Sequence, residues 1–210
     1  KENRSDKYAL LIKGARRIGK STIAKEFAEK EFKSYILIDF AHTSKEIIEL
    51  FDDMYNLDFF FLQLQQFTGV RLYENESVII FDEVQLLPKA RQAIKYLVAD
   101  GRYKYIETGS LLSIKKNTKD ILIPSEEHKI SMYPMDFEEF LWALGRRDLA
   151  DMIGEHYLSN EMFSLHDTAM KYYRTYLLVG GMPRVVLDYI ETNDYNFVTA
   201  SQKSLNNSYI

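Results

Sequence analysis

The stretch Gly14-Ala15-Arg16-Arg17-Ile18-Gly19-Lys20-Ser21 decides the fold of this 210-residue chain. It matches the pattern G-x-x-x-x-G-K-[ST] in full, with an apolar run at 8–12 before it and helical apolar spacing after it. Glycines let backbone N–H groups surround phosphates, the lysine reaches the terminal phosphates, and the Ser21 hydroxyl ligates magnesium. We predict that all eight residues, with Thr22, form a phosphate-binding loop; the alternative is a glycine-rich turn.

Apolar runs alternate with helical spacing over the first 135 residues, which is typical of a parallel α/β sheet. We predict strands at 8–12, 35–38, 77–81, 103–106 and 128–132. We predict helices from residue 21, across 44–67 in two pieces, and over 91–99. Only helical patterns follow. The predicted fold is therefore α/β, a three-layer P-loop NTPase core with a parallel sheet over 1–135, followed by a small all-helical lid domain over 136–210.

Three other segments of the chain have distinct patterns. Residues 114–127 are polar and lack periodicity, so we predict a mobile surface loop. Asp136 and Glu139 form a capping box before an apolar stripe, at the start of a helix that Gly145 ends. Further on, Gly180-Gly181-Met182-Pro183 interrupts the helical pattern. Glycine after one helix and proline in the first turn of the next explain this interruption by themselves.

Two adjacent acids end the third predicted strand, in Val78-Ile79-Ile80-Phe81-Asp82-Glu83. Ligands of open α/β sheets bind at that end of the strands. We assign Asp82, with Ser21, to the magnesium shell, and Glu83 to orienting and deprotonating the attacking water. A strand-end acid alone is often a turn or cap residue, and its pairing with the phosphate loop favours the catalytic interpretation.

Other strand ends and turns supply further candidates. Thr108, in Thr108-Gly109-Ser110 after the fourth strand, carries a hydroxyl that we expect to contact the γ-phosphate or the attacking water; the alternative is a turn-forming residue. Arg16 and Arg17 add positive charge within the loop. An arginine could also act on the γ-phosphate, either in cis or from a neighbouring copy. In the second case the protein would be a homo-oligomer. The candidates are Arg102, Arg146, Arg147, Arg174 and Arg184, the last of which follows the glycine–proline turn.

Composition narrows the classes of function. The 27 basic and 31 acidic side chains give a net charge of −4, so charge does not indicate nucleic acid as a partner. The chain has no cysteine and its 4 histidines lack the spacing of metal ligands, which leaves magnesium as the expected metal. No apolar run approaches the roughly 20 residues that cross a bilayer. We therefore expect no membrane association and a cytoplasmic protein.

Five motifs in this order resemble those of bacterial and archaeal AAA-type ATPases, within the AAA+ and STAND assemblage. Members of that family are usually followed by a C-terminal domain of unknown function. The motifs are Gly14-Ala15-Arg16-Arg17-Ile18-Gly19-Lys20-Ser21, Ile80-Phe81-Asp82-Glu83-Val84-Gln85, Thr108-Gly109-Ser110, Tyr133-Pro134-Met135-Asp136-Phe137-Glu138-Glu139-Phe140 and Gly180-Gly181-Met182-Pro183.

The resemblance implies ATP or ADP with Mg²⁺ as ligands, Thr108 as the sensor-1 position, and Pro183, within a Gly-x-Pro element, as a contact to the base. It also implies that the nucleotide sits between the core and the helical part, and that hydrolysis moves one against the other. Residues 197–209 resemble the helix that leads into the C-terminal domain. We therefore expect a fragment that lacks the C-terminal domain, and we expect that domain to be a partner. The chain does not begin with Met, so we also expect it to be trimmed at its start.

Functions from different classes fit these residues. The first is magnesium-dependent ATP hydrolysis, coupled to a conformational change of an attached domain or partner. The second is a slowly hydrolysing, STAND-like nucleotide switch that binds ADP or ATP and changes its partner contacts. A nucleoside or shikimate-type kinase shares the loop, but the adjacent Asp82 and Glu83 and the helical C-terminal part argue against it.

Overall fold

A computed structural model describes residues 7–110, 125–159 and 162–207. The strands, in chain order, are β1 (Ala9–Gly14), β2 (Ser34–Asp39), β3 (Ser77–Asp82), β4 (Lys104–Ser110) and β5 (Glu127–Met132). The helices of the first part are α1 (Lys20–Glu31), α2 (Lys45–Glu49), α3 (Leu57–Thr68) and α4 (Pro88–Asp100). Those of the second part are α5 (Phe137–Ala143), α6 (Arg147–Ser159), α7 (His166–Val179), α8 (Pro183–Thr192) and α9 (Tyr195–Asn207).

The strands form one parallel sheet in the order β2-β3-β4-β1-β5. In β1, Leu10 is paired with Ile106 of β4 and with His128 of β5. All six residues of β3 are buried, because helices cover both faces of a parallel sheet. Parallel pairing brings the carboxyl ends of β1, β3 and β4 side by side, at the edge where such sheets bind ligands.

Alternation along the strands divides the apolar core between the two faces of the sheet. One face carries an aromatic cluster that is packed around Phe51, Phe60 and Phe81. Helices α3 and α4 cover this cluster. The other face carries a smaller cluster in which Ala24 and Ala28 of α1 pack on the sheet. Small side chains at these two sites allow α1 to lie close to the strands. The predicted α/β fold with a parallel sheet is confirmed.

The chain divides into two compact units, the first ending at Met132 and the second beginning at Tyr133. In the second unit, Asp136 and Glu139 form the predicted capping box, with reciprocal hydrogen bonds of 2.9 and 3.0 Å. Its apolar cluster includes Phe140 and Val185. Gly181 lies so close to the backbone of Met135 that a Cβ would overlap it, and the Met135 N–H donates to the Gly181 carbonyl at 2.7 Å.

One local prediction needs correction, and one alternative is excluded. The polar stretch 114–127 was expected to be a loop, but Glu127 begins β5, where it pairs with Ala9; residues 111–124 lie outside the described part of the chain. Thr108, for which a turn was the alternative, lies inside β4, which continues to Ser110. In both cases pairing with β1 extends the strand, and single-sequence periodicity carries no information on pairing. Among the described helices, none is long and apolar enough to span a membrane.

Candidate functional site

The loop between β1 and α1 begins at Gly14 and ends where α1 starts at Lys20. Arg17 and Gly19 have left-handed backbone, with φ of 61° and 91°. Such residues within a turn direct backbone N–H groups into a shared concavity that binds anions. Ile18 between them is 1% exposed and anchors the loop in the core. The loop is therefore held in a curved shape, with the amino end of a helix directly after it.

Gly14 is required by a close approach at the start of this loop. A Cβ on Gly14 would overlap the carbonyl oxygen of Met132 and the side chain of Ile18. Met132 is also its Cα partner in the parallel pair between β1 and β5. The motif's first glycine thus allows the edge strand and the loop to meet without a side chain between them.

Lys20 is the buried cation of the site. The residue is 4% exposed, and its Nζ donates to the carbonyl oxygen of Ala15 at 2.7 Å, inside the same loop. Burial lowers the pKa of the Lys20 ammonium; the charges of Glu83 and Asp82 oppose this shift, and that of Arg16 adds to it. An ammonium with few contacts to water, next to a loop of N–H groups, is suited to binding phosphate oxygens.

Ser21, Asp82 and Thr108 come together from three separate elements. The Ser21 hydroxyl in α1 donates to Asp82 Oδ1 at 2.7 Å. The Thr108 hydroxyl in β4, which is fully buried, donates to the same oxygen. The backbone N–H of Glu83 in turn donates to Thr108 Oγ1 at 3.2 Å. The hydroxyl predicted to sense the γ-phosphate therefore links the two strand-end acids.

Glu83 follows β3 in a strained backbone conformation. Its φ is 54° and its ψ is 45°, left-handed values that are uncommon for residues other than glycine, asparagine and aspartate. A short 3-10 turn, Val84–Leu86, begins directly after it, and the Leu86 N–H donates to the Glu83 carbonyl at 2.9 Å. The Gln85 side-chain amide donates to Glu83 Oε2. The Glu83 carboxylate is thus held by a neighbour two residues along the chain.

Other predicted residues have positions or contacts within their own units of the chain. Pro183 is the first residue of α8 in the second unit, where it starts a helix after the glycine pair. Arg102 pairs with Asp100 and Asp58, and Arg184 pairs with Asp188. Thr22 is exposed in the first turn of α1. The contact of Pro183 with the base of the nucleotide stays a prediction, and so does an arginine that acts on the γ-phosphate.

Sequence reasoning assigned no role to two buried polar features. One is Gln85, which is 4% exposed. The other is a cluster beneath β1 in which Arg91 of α4 makes a bidentate ion pair with Glu127, at 2.7 and 2.9 Å, beside the fully buried Glu107. A charged residue inside an otherwise apolar strand, as in Tyr105-Ile106-Glu107, was the available signal for the second feature.

Comparison with families of known proteins gives one match. A family model described as "AAA domain" matches residues 6–141, which include β1 to β5 and α1 to α4. No curated protein matches the chain.

Solved structures that are similar to this chain include the following three. The structure of C. elegans PCH-2 is 15% identical, with a TM-score of 0.46, and the match covers 100% of this chain and 62% of that one. The Thermotoga maritima RuvB Holliday junction branch migration motor is 12% identical, with a TM-score of 0.48 and coverage of 95% and 62%. Hsp104, reconstructed in a closed state with ATPγS and FITC casein, is 13% identical, with a TM-score of 0.48 and coverage of 95% and 37%. This chain therefore spans less than two thirds of the length of each.

Proposed function

Since the chain belongs to the AAA domain family, we propose that it binds ATP with Mg²⁺ and hydrolyses it to ADP and phosphate. The observation that carries this proposal is the hydrogen bond of 2.7 Å between the Ser21 hydroxyl and Asp82 Oδ1. It brings the last residue of the phosphate loop to the strand-end carboxylate. Hydroxyl and carboxylate oxygens are ligands that Mg²⁺ accepts, so Ser21 and Asp82 would hold the ion, which would neutralise phosphate charge.

The proposed roles follow from the chemistry of each group. The N–H groups of residues 14–21 and the Lys20 ammonium bind the phosphates, with Arg16 and Arg17 adding positive charge. Ser21 and Asp82 hold Mg²⁺, which when bound neutralises phosphate charge. Glu83 orients the attacking water and accepts its proton. Thr108 connects this base to the metal ligand, since its hydroxyl contacts both Asp82 and the Glu83 backbone.

In the proposed function, the helical unit from Tyr133 onward transmits the effect of hydrolysis to a partner. We assign residues 1–135 to the ATPase core and 136–210 to a lid, in which Pro183 contacts the base of the bound nucleotide. Hydrolysis would then change how the lid engages an attached domain or another partner. We further propose that the protein acts in the cytoplasm, which is compatible with a chain that has no cysteine. A homo-oligomer would allow a neighbouring copy to supply an arginine.

Phosphate release from ATP tests the proposal. We expect turnover in Mg²⁺ that stops with EDTA, and a Glu83→Gln variant that turns over at least about a hundredfold more slowly while its affinity for ATP is kept, since a general base contributes about 10²–10⁴-fold. The matched control is Glu26→Gln, the same change on the exposed face of α1, which should behave as the parent does.

Two results would count against this mechanism. Equal turnover in Glu83→Gln and the parent would remove Glu83 as the base. Phosphate transfer that requires an added acceptor, with no release to water, would identify a kinase instead.

A further inference from the structure

Gln85 is placed by the same turn that follows the strand-end acids. It lies in the 3-10 turn Val84–Leu86, and the residue is only 4% exposed although its side chain is polar. The neighbouring Val84 is fully buried and packs in the aromatic cluster under the sheet. The backbone around Gln85 is therefore anchored in the core, and its amide is directed by a fixed segment of chain.

The backbone of Glu83 is anchored on both sides. Its N–H donates to Thr108 Oγ1 at 3.2 Å, and its carbonyl accepts from the Leu86 N–H at 2.9 Å. The left-handed φ of 54° sets the direction in which its side chain leaves the main chain. These contacts fix the Cα of Glu83, but they leave free rotation about the bonds of a long side chain.

The Gln85 amide restricts that rotation. Its Nε2 donates to Glu83 Oε2, so one carboxylate oxygen is fixed by an uncharged donor from the same turn. An amide donor keeps the carboxylate an acceptor, whereas a lysine at this site would add charge to a region that already holds Lys20. A base must be oriented as well as ionised, because small displacements of a catalytic group slow a reaction by large factors.

We propose that Gln85 is a positioning residue that orients Glu83, fixing Oε2 so that Oε1 accepts the proton of the attacking water. This inference rests on the proposed hydrolysis and adds to it a residue that does not touch the substrate. Substitution of Gln85 should therefore lower kcat and leave KM and the affinity for ATP unchanged.

Three variants of the 210-residue chain test the proposal. In Gln85→Leu we expect kcat to fall roughly ten- to hundredfold, with the Kd for a fluorescent ATP analogue in Mg²⁺ within about twofold of the parent. Gln66→Leu, the same change at an exposed site of α3, should match the parent in both. In Gln85→Glu a carboxylate replaces the donor, so activity falls at neutral pH. Its activity relative to the parent at the same pH should recover on acidification, because a protonated carboxyl donates as the amide does.

A direct readout needs no turnover. In ¹⁵N NMR spectra of the nucleotide-free protein, the side-chain amide signals of Gln85 should shift in Glu83→Gln and stay unchanged in Glu26→Gln. A melting curve for each variant separates loss of fold from loss of orientation, and Gln85→Glu preserves the size of the side chain if Gln85→Leu fails to fold.

The outcomes separate this proposal from the function on which it rests. Parent turnover with an equal kcat in Gln85→Leu, or Gln85 signals that ignore Glu83→Gln, would overturn the positioning role and leave ATP hydrolysis intact. A parallel loss of ATP affinity and kcat would also overturn it, because Gln85 would then support the whole site. A parent chain that binds ATP without any turnover would overturn both.

Discussion

Glu83 carries a conformational cost that its proposed role explains. A left-handed backbone costs a residue with a Cβ about 1–2 kcal/mol relative to glycine, and Glu83 has a φ of 54°. The carboxylate that would accept the proton is the one that the strained residue presents, next to the Asp82 that contacts Ser21. Strain of this kind persists where the surroundings fix it, here through Thr108 and the turn to Leu86.

A pair of substitutions at this residue tests that cost. We expect Glu83→Gly to have a free energy of unfolding about 1 kcal/mol higher than Glu83→Ala, because only the alanine has a Cβ that opposes the positive φ. Urea unfolding of both variants measures the difference. Lys25 in α1 is the control position, where helical backbone should make alanine the more stable by about 1 kcal/mol. An alanine variant as stable as the glycine variant at residue 83 would contradict the strained backbone.

β4 carries one polar residue of the candidate site on one face and a buried carboxyl outside that site on the other. Thr108 points to the face where Asp82 and Ser21 meet. Glu107, the residue before it, is buried beside the ion pair of Arg91 and Glu127, and neither of its carboxylate oxygens has a hydrogen-bond partner among the described residues. Burial raises the pKa of the Glu107 carboxyl well above its ordinary range; Glu127 adds to this shift, and Arg91 and Lys129 oppose it.

This element makes the stability of the fold depend on pH. At pH values between the ordinary carboxyl pKa and the raised native pKa, the unfolded chain ionises Glu107 while the folded chain keeps its proton, so unfolding releases a proton. The free energy of unfolding should therefore fall as pH rises above the ordinary carboxyl range, by up to about 1.4 kcal/mol per pH unit, until the raised native pKa is passed. Chemical unfolding of the parent and Glu107→Gln across this range measures the slope that the substitution removes. Identical slopes would show that Glu107 is ionised in the fold; Glu26→Gln is the exposed control.

The predictable part of the whole molecule is the part that depends on local pattern. The glycine loop, the buried strand before it and the helix after it follow from neighbours in the chain, and so does the capping box of Asp136. The start of β5 depends on pairing with β1, so Glu127 was wrongly placed in a loop. The contacts of Gln85 and Glu107 depend on a turn and on a helix packed over the sheet, and no periodicity encodes them.

At the scale of the whole molecule, the chain forms two compact units, and the proposed coupling requires that bound nucleotide favour one arrangement of them over another. All such effects depend on ATP binding at the loop after β1. That binding is the claim on which the proposed hydrolysis and the role of Gln85 both rest.

Calorimetric titration of ATP in Mg²⁺ into the parent and Lys20→Ala tests the claim most directly. We expect saturable binding by the parent and an affinity weaker by about ten- to a hundredfold in Lys20→Ala, since a hydrogen bond to a charged group contributes about 1.5–3 kcal/mol. Lys25→Ala, on the exposed side of the same helix, should bind as the parent does. Equal affinities in the parent and Lys20→Ala, or no binding by the parent, would contradict the account.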